Sequence, residues 1–297
     1  MPNQYQKQNP LTQYPKPPFP EQPQSAPGTV HKMIPPPDHG ESTYEGKDRL
    51  PGRKAFITGG DSGLGRATAI AFARERADVA IVYRPEEEAD AKEVIELIRQ
   101  AGRKAVGIPG DVRDESFCKD LVTKLIAELG GIDIFVSNAG KQTSQPSIED
   151  ITTEQFDATF KTNVYAPFWI TKALLPHLEP GASIICTASI QASDPSESLL
   201  DYAQTKACNV TFVQALACQV IGKGIRVNAV APGPFWTPLQ PSGGQTQEKV
   251  KSFGSESAYG RPGQPAEIAP VFVFLASQES SYVTGEVYGV TGGAGFH

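Results

Sequence analysis

The sequence predicts an α/β fold built on a doubly wound parallel sheet, and two observations carry that prediction. From Leu50 onward, short apolar runs rich in strand formers alternate with longer amphipathic stretches, without any solenoid-like repeat. The first apolar run, Lys54-Ala-Phe-Ile-Thr58, turns through Gly59-Gly-Asp61-Ser62-Gly63-Leu64-Gly65 into an Ala-rich segment. There Leu64, Ala67, Ile70 and Ala71 recur at helical spacing. Strand, glycine turn and helix N-terminus form an anion site: backbone N–H groups point outward, the helix dipole favours negative charge, and missing side chains let a pyrophosphate approach. Gly59, Asp61, Ser62, Gly63, Leu64 and Gly65 are therefore candidate dinucleotide-binding residues. The spacing is Thr-Gly-x3-Gly-x-Gly rather than G-x-G-x-x-G, and alone it also fits a structural loop.

The remaining elements follow in order. Asp78–Tyr83 reads as the second strand and Glu86–Ala101 as a helix. Lys104–Ile108 is the third strand, closing in Gly110-Asp111-Val112, and Glu115–Leu129 is the next helix. The fourth strand, Ile132–Val136, runs into Ser137-Asn138-Ala139-Gly140. A long helical region covers roughly Thr152 to Leu178, and Ala182–Ala188 is the fifth strand. Tyr202–Ile221 is helical, Ile225–Val230 is the sixth strand, Ala266–Ala276 a helix, and Val287–Val290 a final short strand. Ligands in such a sheet sit at the carboxyl ends of the strands.

Composition narrows the function classes. A net charge of −6 with no basic cluster argues against nucleic acid. No apolar run approaches the roughly 20 residues of a membrane span. The N-terminus lacks a charged-then-apolar signal pattern, which points to a cytoplasmic protein. Cys118, Cys186, Cys208 and Cys218 form no C-x-x-C pair; Cys186 and Cys208 fall in elements expected to be buried, and all four read as reduced core residues. The histidines are dispersed, so neither a metal cluster nor a His-based triad is expected.

Residues 1–45 stand apart from the single domain expected over 46–297. Eleven prolines fall in the first 40 residues, amid Gln, Asn and Lys, so extended or polyproline conformation is expected. Two readings follow. The segment is a flexible extension, or Tyr14, Phe19, Met33 and Ile34 pin it across the body or a neighbouring subunit.

Three strand ends bear residues suited to a dinucleotide. Asp111 can hydrogen-bond adenine, and Asn138-Ala139-Gly140 lets the backbone pass close to ribose and pyrophosphate. The second strand ends in Tyr83-Arg84. A carboxylate there would bind the adenosine 2′-hydroxyl of NAD and repel a 2′-phosphate. None is present, so NADP is favoured over NAD, with Arg84 either accepting that phosphate or pairing with Glu86–Glu88 at the surface. Thirteen residues after Ser189 comes Tyr202-Ala-Gln-Thr-Lys206. Tyrosine and lysine four apart share one helix face. A free tyrosine has a pKa near 10 and exchanges protons poorly at neutral pH, whereas an adjacent ammonium favours the phenolate. Ser189, just past the fifth strand, can hydrogen-bond the substrate oxygen from the other side. Of nine tyrosines, only Tyr202 has lysine at this spacing.

Taken together, these residues resemble the short-chain dehydrogenase/reductase family from about residue 50 onward. Thr58-Gly-x3-Gly-x-Gly65, Asn138-Ala-Gly140, Ser189, Tyr202-x3-Lys206 and Pro232-Gly233 occur in the family's order. The resemblance implies a Rossmann sheet of seven parallel strands and a catalytic tetrad. Asn163 matches the asparagine holding a water that links the lysine to solvent; Tyr202 is the general acid/base, Ser189 polarises the carbonyl, and Lys206 lowers the tyrosine pKa and binds the nicotinamide ribose. Pro232-Gly233 and Thr237 match the segment contacting nicotinamide. Enoyl reductases of the family place Tyr and Lys farther apart. The Pro-rich tail looks like that of a bacterial subgroup with N-terminal extensions, some linked to general stress.

The expected function is thus hydride transfer between NAD(P) and a small carbonyl or alcohol. The rival readings are a cofactor-binding sensor or scaffold without turnover, and a tail that docks a partner domain. Residues 234–261 read as a substrate lid, with Gln142, Gln191, Pro195 and Trp236 as candidate pocket residues. Helix Tyr202–Ile221 is apolar nearly all round, and the region 160–175, with Phe168, Trp169, Ile170 and Leu174, shows a similar excess. Such faces mark an interface, and a second one at Val287–Phe296 would give a dihedral homotetramer, with a dimer as the alternative.

Overall fold

The structure, a computed structural model, describes residues 2–296. Seven parallel strands form one sheet in the order β3-β2-β1-β4-β5-β6-β7. These are β1 (Lys54–Thr58), β2 (Asp78–Tyr83), β3 (Ala105–Pro109), β4 (Ile134–Ser137), β5 (Ser183–Thr187), β6 (Arg226–Pro232) and β7 (Val287–Val290). The strands are apolar runs because helices bury both faces of the sheet. In β1, Ala55 and Ile57 face α1 (Gly63–Arg74), α2 (Glu88–Gln100) and α8 (Pro265–Ala276). Phe56 points the other way, stacking on Phe135 of β4 with ring centroids 5.1 Å apart. That layer holds α3 (Glu115–Leu129), α5 (Ala166–Leu174) and α6 (Leu200–Val220). The chain order reverses between β1 and β4, which opens a crevice at their carboxyl ends.

Local chemistry sets the helix limits. Asp114 caps α3 by accepting from the N–H groups of Ser116 and Phe117, and Gly130 ends it at φ 74°, a left-handed turn that glycine adopts without strain. Thr152 caps α4 (Thr153–Phe160) by accepting from Gln155 N. The long helical region expected over 152–178 runs in helical backbone from Thr153 to His177, with a π turn at Lys161–Tyr165 between α4 and α5. The fourth strand starts two residues later than expected, at Ile134.

The flexible-extension reading of the N-terminus is overturned. Phe19 and Met33 are buried against Trp236 and Val250, and Tyr14 Oη donates to Asp38 at 2.7 Å. Ile34, expected to pin the tail, is 60% exposed. Ala266 N donates to Asp38 O and Asp38 N to Gln264, which docks the tail on the start of α8. Glu75, fully buried at the end of α1, accepts from Tyr44 Oη and from the backbone N–H groups of Lys47 and Arg49. The segment 234–261 also holds more structure than a loop, with a π turn at Gln240–Gly244 and a short α7 (Gln247–Lys251). Cys208 corrects another expectation. It faces outward from α6 and is exposed, as is Cys218, whereas Cys118 and Cys186 are buried.

Candidate active site

A cleft of about 780 Å³ opens along the carboxyl ends of the strands. Gly59, Asp61, Ser62, Gly63 and Leu64 line its floor, and Tyr83, Arg84, Asp111 and Val112 one side. Asn138, Ala139 and Gly140 lie at the centre. Ser189, Tyr202, Lys206, Pro232, Gly233 and Thr237 form the other side. Of the expected catalytic and cofactor-binding residues, two do not line the cleft: Gly65 and Asn163.

Gly65 acts by close packing instead. A Cβ there would lie 1.9 Å from Gly59 O and 2.6 Å from Asn138 Nδ2, so only glycine lets α1 approach the turn. Asn138 reinforces the same contact, donating to Thr58 O at 3.2 Å and Gly59 O at 3.0 Å. Thr58 Oγ1 in turn accepts from the N–H groups of Asn138 and Ala139. Ser62, the residue before α1, makes no side-chain cap, so the first N–H groups of that helix face the cleft without a side-chain partner. The glycine cradle and this open helix end fit a pyrophosphate.

Asn163 sits in the π turn and is fully engaged. Its Nδ2 donates to Lys141 O and Thr205 Oγ1, and its Oδ1 accepts from Lys141 N. Asn209 Nδ2 donates to Asn163 O, so α6 clamps the turn. Thr205 Oγ1 donates to Tyr202 O at 2.7 Å, which links the asparagine to the tyrosine's own backbone. Thr205 and Asn209 carry no motif signature and were invisible in the sequence. So was Asp201, which accepts from Thr159 Oγ1 and Tyr202 N and fixes the first turn of α6.

Tyr202 and Lys206 are both buried, with Lys206 Nζ 5.4 Å from the centre of the tyrosine ring. Lys206 Nζ donates to Thr187 O at 2.7 Å. The expected depression of the Tyr202 pKa does not arise from the protein's own groups: burial pushes it up to about 12, against a hydrogen bond from Ser189 that lowers it. Burial brings Lys206 down to about 8. Both shifts have one cause, since a dry pocket disfavours phenolate and ammonium alike.

At the other end, Arg84 pairs with Glu86 at 3.0 Å, the surface pairing anticipated as its alternative, while still lining the cleft. Asp111 is held by Arg113, whose hydrogen bonds keep its carboxyl below the usual range. Asp61 is buried and its Oδ2 has no hydrogen-bond partner among the described residues. Burial lifts its carboxyl well above the ordinary range, and nearby Glu87, also lining the cleft, adds to the effect. Of the candidate pocket residues, Gln142, Gln191 and Pro195 line the cleft. Trp236 does not: it is fully buried between Phe19 and Phe253, drawn inward by the tail.

With this geometry in view, the comparisons with known proteins are specific. A family model described as "Enoyl-(Acyl carrier protein) reductase" matches residues 59–295. The "Uncharacterized oxidoreductase YghA" of Escherichia coli is 58% identical over 96% of this chain and 97% of its own length. "General stress protein 39" of Bacillus subtilis is 48% identical over 95% and 98%. "Glucose and ribitol dehydrogenase" of Daucus carota is 43% identical over 93% and 96%. Among solved structures, a short chain dehydrogenase from Burkholderia cenocepacia in complex with NADP superposes with a TM-score of 0.77 at 33% identity, covering 83% of this chain and 99% of that one. The chain belongs to the short-chain dehydrogenase/reductase family and is an NAD(P)-dependent oxidoreductase.

Proposed function

We propose that Tyr202, Ser189 and Lys206 carry the reaction on a small aldehyde, ketone or sugar, with Asn163 as their support. The observation that carries this reading is the convergence of the three side chains on one wall of the cleft that the glycine turn floors. When bound there, NAD(P) supplies or accepts the hydride at its nicotinamide. Ser189 Oγ donates to the carbonyl oxygen and fixes its position. Tyr202 Oη, protonated because burial holds its pKa high, gives its proton to that oxygen in the reductive direction. Lys206, anchored on Thr187 O, brings its ammonium beside the phenolate as it forms. Asn163 holds the π turn against Lys141 and α6, which keeps Tyr202 and Lys206 in register.

The remaining candidates seat the cofactor. Gly59, Ser62, Gly63, Leu64 and Gly65 form or support the pyrophosphate cradle, and Pro232, Gly233 and Thr237 border the nicotinamide. Ala139, Gly140 and Val112 flank the riboses and adenine. Asp61, whose carboxyl burial lifts above its ordinary range and whose Oδ2 has no hydrogen-bond partner among the described residues, is a polar contact for a ribose hydroxyl. Tyr83 and Arg84 face the 2′ position, and NADP is favoured over NAD there, as the NADP in the Burkholderia neighbour also suggests. The dehydrogenase name of the carrot relative supports a polyhydroxylated substrate. Among the described residues no helix is long and apolar enough to cross a membrane, and a cytoplasmic setting suits the free cysteines.

The assembly we infer is a homotetramer. Tyr165 and Phe168 are 45% and 49% exposed, and with Trp169 and Phe212 they border a shallow apolar hollow between α5 and α6. The tail packs elsewhere, so this face is left for a second copy. The activity reading is tested by screening aldehydes, ketones and sugars with NADH and NADPH separately. Oxidation of the cofactor with at least one class is expected; none with any would favour a sensor without turnover.

A further inference from the structure

The N-terminal extension adds no strand to the sheet, yet it forms part of the cleft. Its first anchor is on the segment 234–261. Phe19 is buried against Trp236 with ring centroids 4.3 Å apart, and Phe19 N donates to Lys251 O at 2.9 Å. Trp236 Nε1 donates to Pro35 O at 2.8 Å, Gln22 N to Gln247 Oε1 at 2.9 Å and Gln24 N to Pro241 O at 3.1 Å. The second anchor lies on α2, beyond the glycine turn, where Val30 N donates to buried Asp90 Oδ2 at 2.8 Å. Between the anchors, Ala26, Pro27 and Gly28 line the same cleft as the glycine turn, Asp61 and Glu87.

Gly28 is pressed onto the wall it crosses. A Cβ there would lie 2.7 Å from Pro238 O and 3.0 Å from Ser242 Cβ, so any side chain lifts the chain off its seat. Pro238 follows Thr237, whose methyl group would be 3.2 Å from a Cβ on Gly63 of the glycine turn. The stretch therefore leaves the 234–261 wall at Gly28 and reaches α2 at Val30, beside the glycine turn that shares its cleft.

We propose that residues 26–30 are a strap of the dinucleotide site, running from the segment 234–261 to α2 across the mouth of the cleft, and that a bound dinucleotide leaves only when this strap lifts. The proposal rests on the NAD(P) reading of the cleft. The two anchors are unequal. The Phe19 end is held by an aromatic stack and several hydrogen bonds. The Val30 contact on α2 is one backbone bond, with exposed His31 3.9 Å from the same carboxylate, and past it the chain returns to the 234–261 segment through buried Met33 and the bond from Trp236 Nε1 to Pro35 O. The strap therefore opens at α2 and stays tethered at 234–261.

The test uses the full chain, with NADPH and NADH in separate runs. Nicotinamide fluorescence follows dissociation when excess oxidised cofactor displaces the reduced form. Gly28→Ala, which adds only the offending methyl group, is expected to raise the dissociation rate at least fivefold, and Phe19→Ala to do the same. In the wild type, bound cofactor is expected to slow tryptic cleavage after exposed Lys32 at least fivefold. A cooperatively melting Gly28→Ala variant that releases cofactor at the wild-type rate overturns the strap. Were that variant unable to fold, cleavage after Lys32 indifferent to cofactor in the wild type would overturn it equally. A wild type that shows no binding at all would remove the cofactor reading and the strap with it.

Discussion

Replacing Gly65 with alanine isolates the contact between α1 and the glycine turn, because Gly65 has an ordinary helical backbone and only the new methyl group matters. That methyl group meets Gly59 O at 1.9 Å and Asn138 Nδ2 at 2.6 Å, so the turn must shift by roughly an ångström to reach van der Waals distance. Overpacking of this kind costs ~1–3 kcal/mol. Alanine returns up to ~1 kcal/mol through its better helix propensity. The contact is with backbone, which yields poorly, so the net effect is a destabilisation of about 2 kcal/mol. For a domain of this size that lowers the melting midpoint by roughly 4–8 °C. The shift also breaks the bonds from Asn138 to Thr58 O and Gly59 O, which shape the phosphate cradle. Misplacement by about 1 Å can cost on the order of 100-fold in activity, so kcat/KM for the cofactor should fall by at least ~10-fold. Differential scanning calorimetry and cofactor saturation kinetics measure both effects. Gly222→Ala is the control, since a Cβ there meets nothing within 4 Å. A Gly65→Ala variant that melts at or above the wild-type temperature with unchanged cofactor kinetics would refute the reasoning.

Three further outcomes follow from the same geometry. Arg84→Ala should raise the KM for NADPH more than that for NADH, because only NADPH carries the 2′-phosphate; equal effects would leave Arg84 as the surface partner of Glu86 alone. Of the groups proposed to carry the reaction, Lys206 titrates first above neutrality, since burial lowers it to about 8 while Tyr202 lies near 12. Its ammonium is present below that value and lost above it, so carbonyl reduction should decline as pH rises through about 8; a rate that stays flat to pH 10 would contradict this. Light scattering should return about four times the 31.8 kDa chain mass, and a single-chain mass would count against the exposed α5–α6 face as an interface.

The parts of this protein legible in its sequence are those set by local pattern. Apolar runs such as Ala55-Phe-Ile57 announce strands buried on both faces, and the glycine turn announces the end of β1, because each depends on its neighbours in the chain. Ser189, Tyr202 and Lys206 were legible for the same reason, as a spacing. What was hidden depends on long-range complementarity. Trp236 reads as a pocket aromatic until Phe19, more than 200 residues away, is seen to stack on it. The tail's composition argues for disorder, yet Asp38, Tyr44 and Phe19 each find partners on the body that no window of sequence contains. Asn209 and Thr205 clamp the π turn without any motif. The pKa of Tyr202 was misjudged because its direction turns on burial depth, which a four-residue spacing does not encode.

The central claim is that Tyr202 moves the proton. Turnover of Tyr202→Phe with the best carbonyl substrate, measured beside its affinity for NADPH, tests it most directly. The account predicts a loss of at least ~100-fold in kcat, the scale of a removed general acid, with cofactor affinity retained. Near-wild-type turnover in a folded, cofactor-binding Tyr202→Phe protein would contradict it.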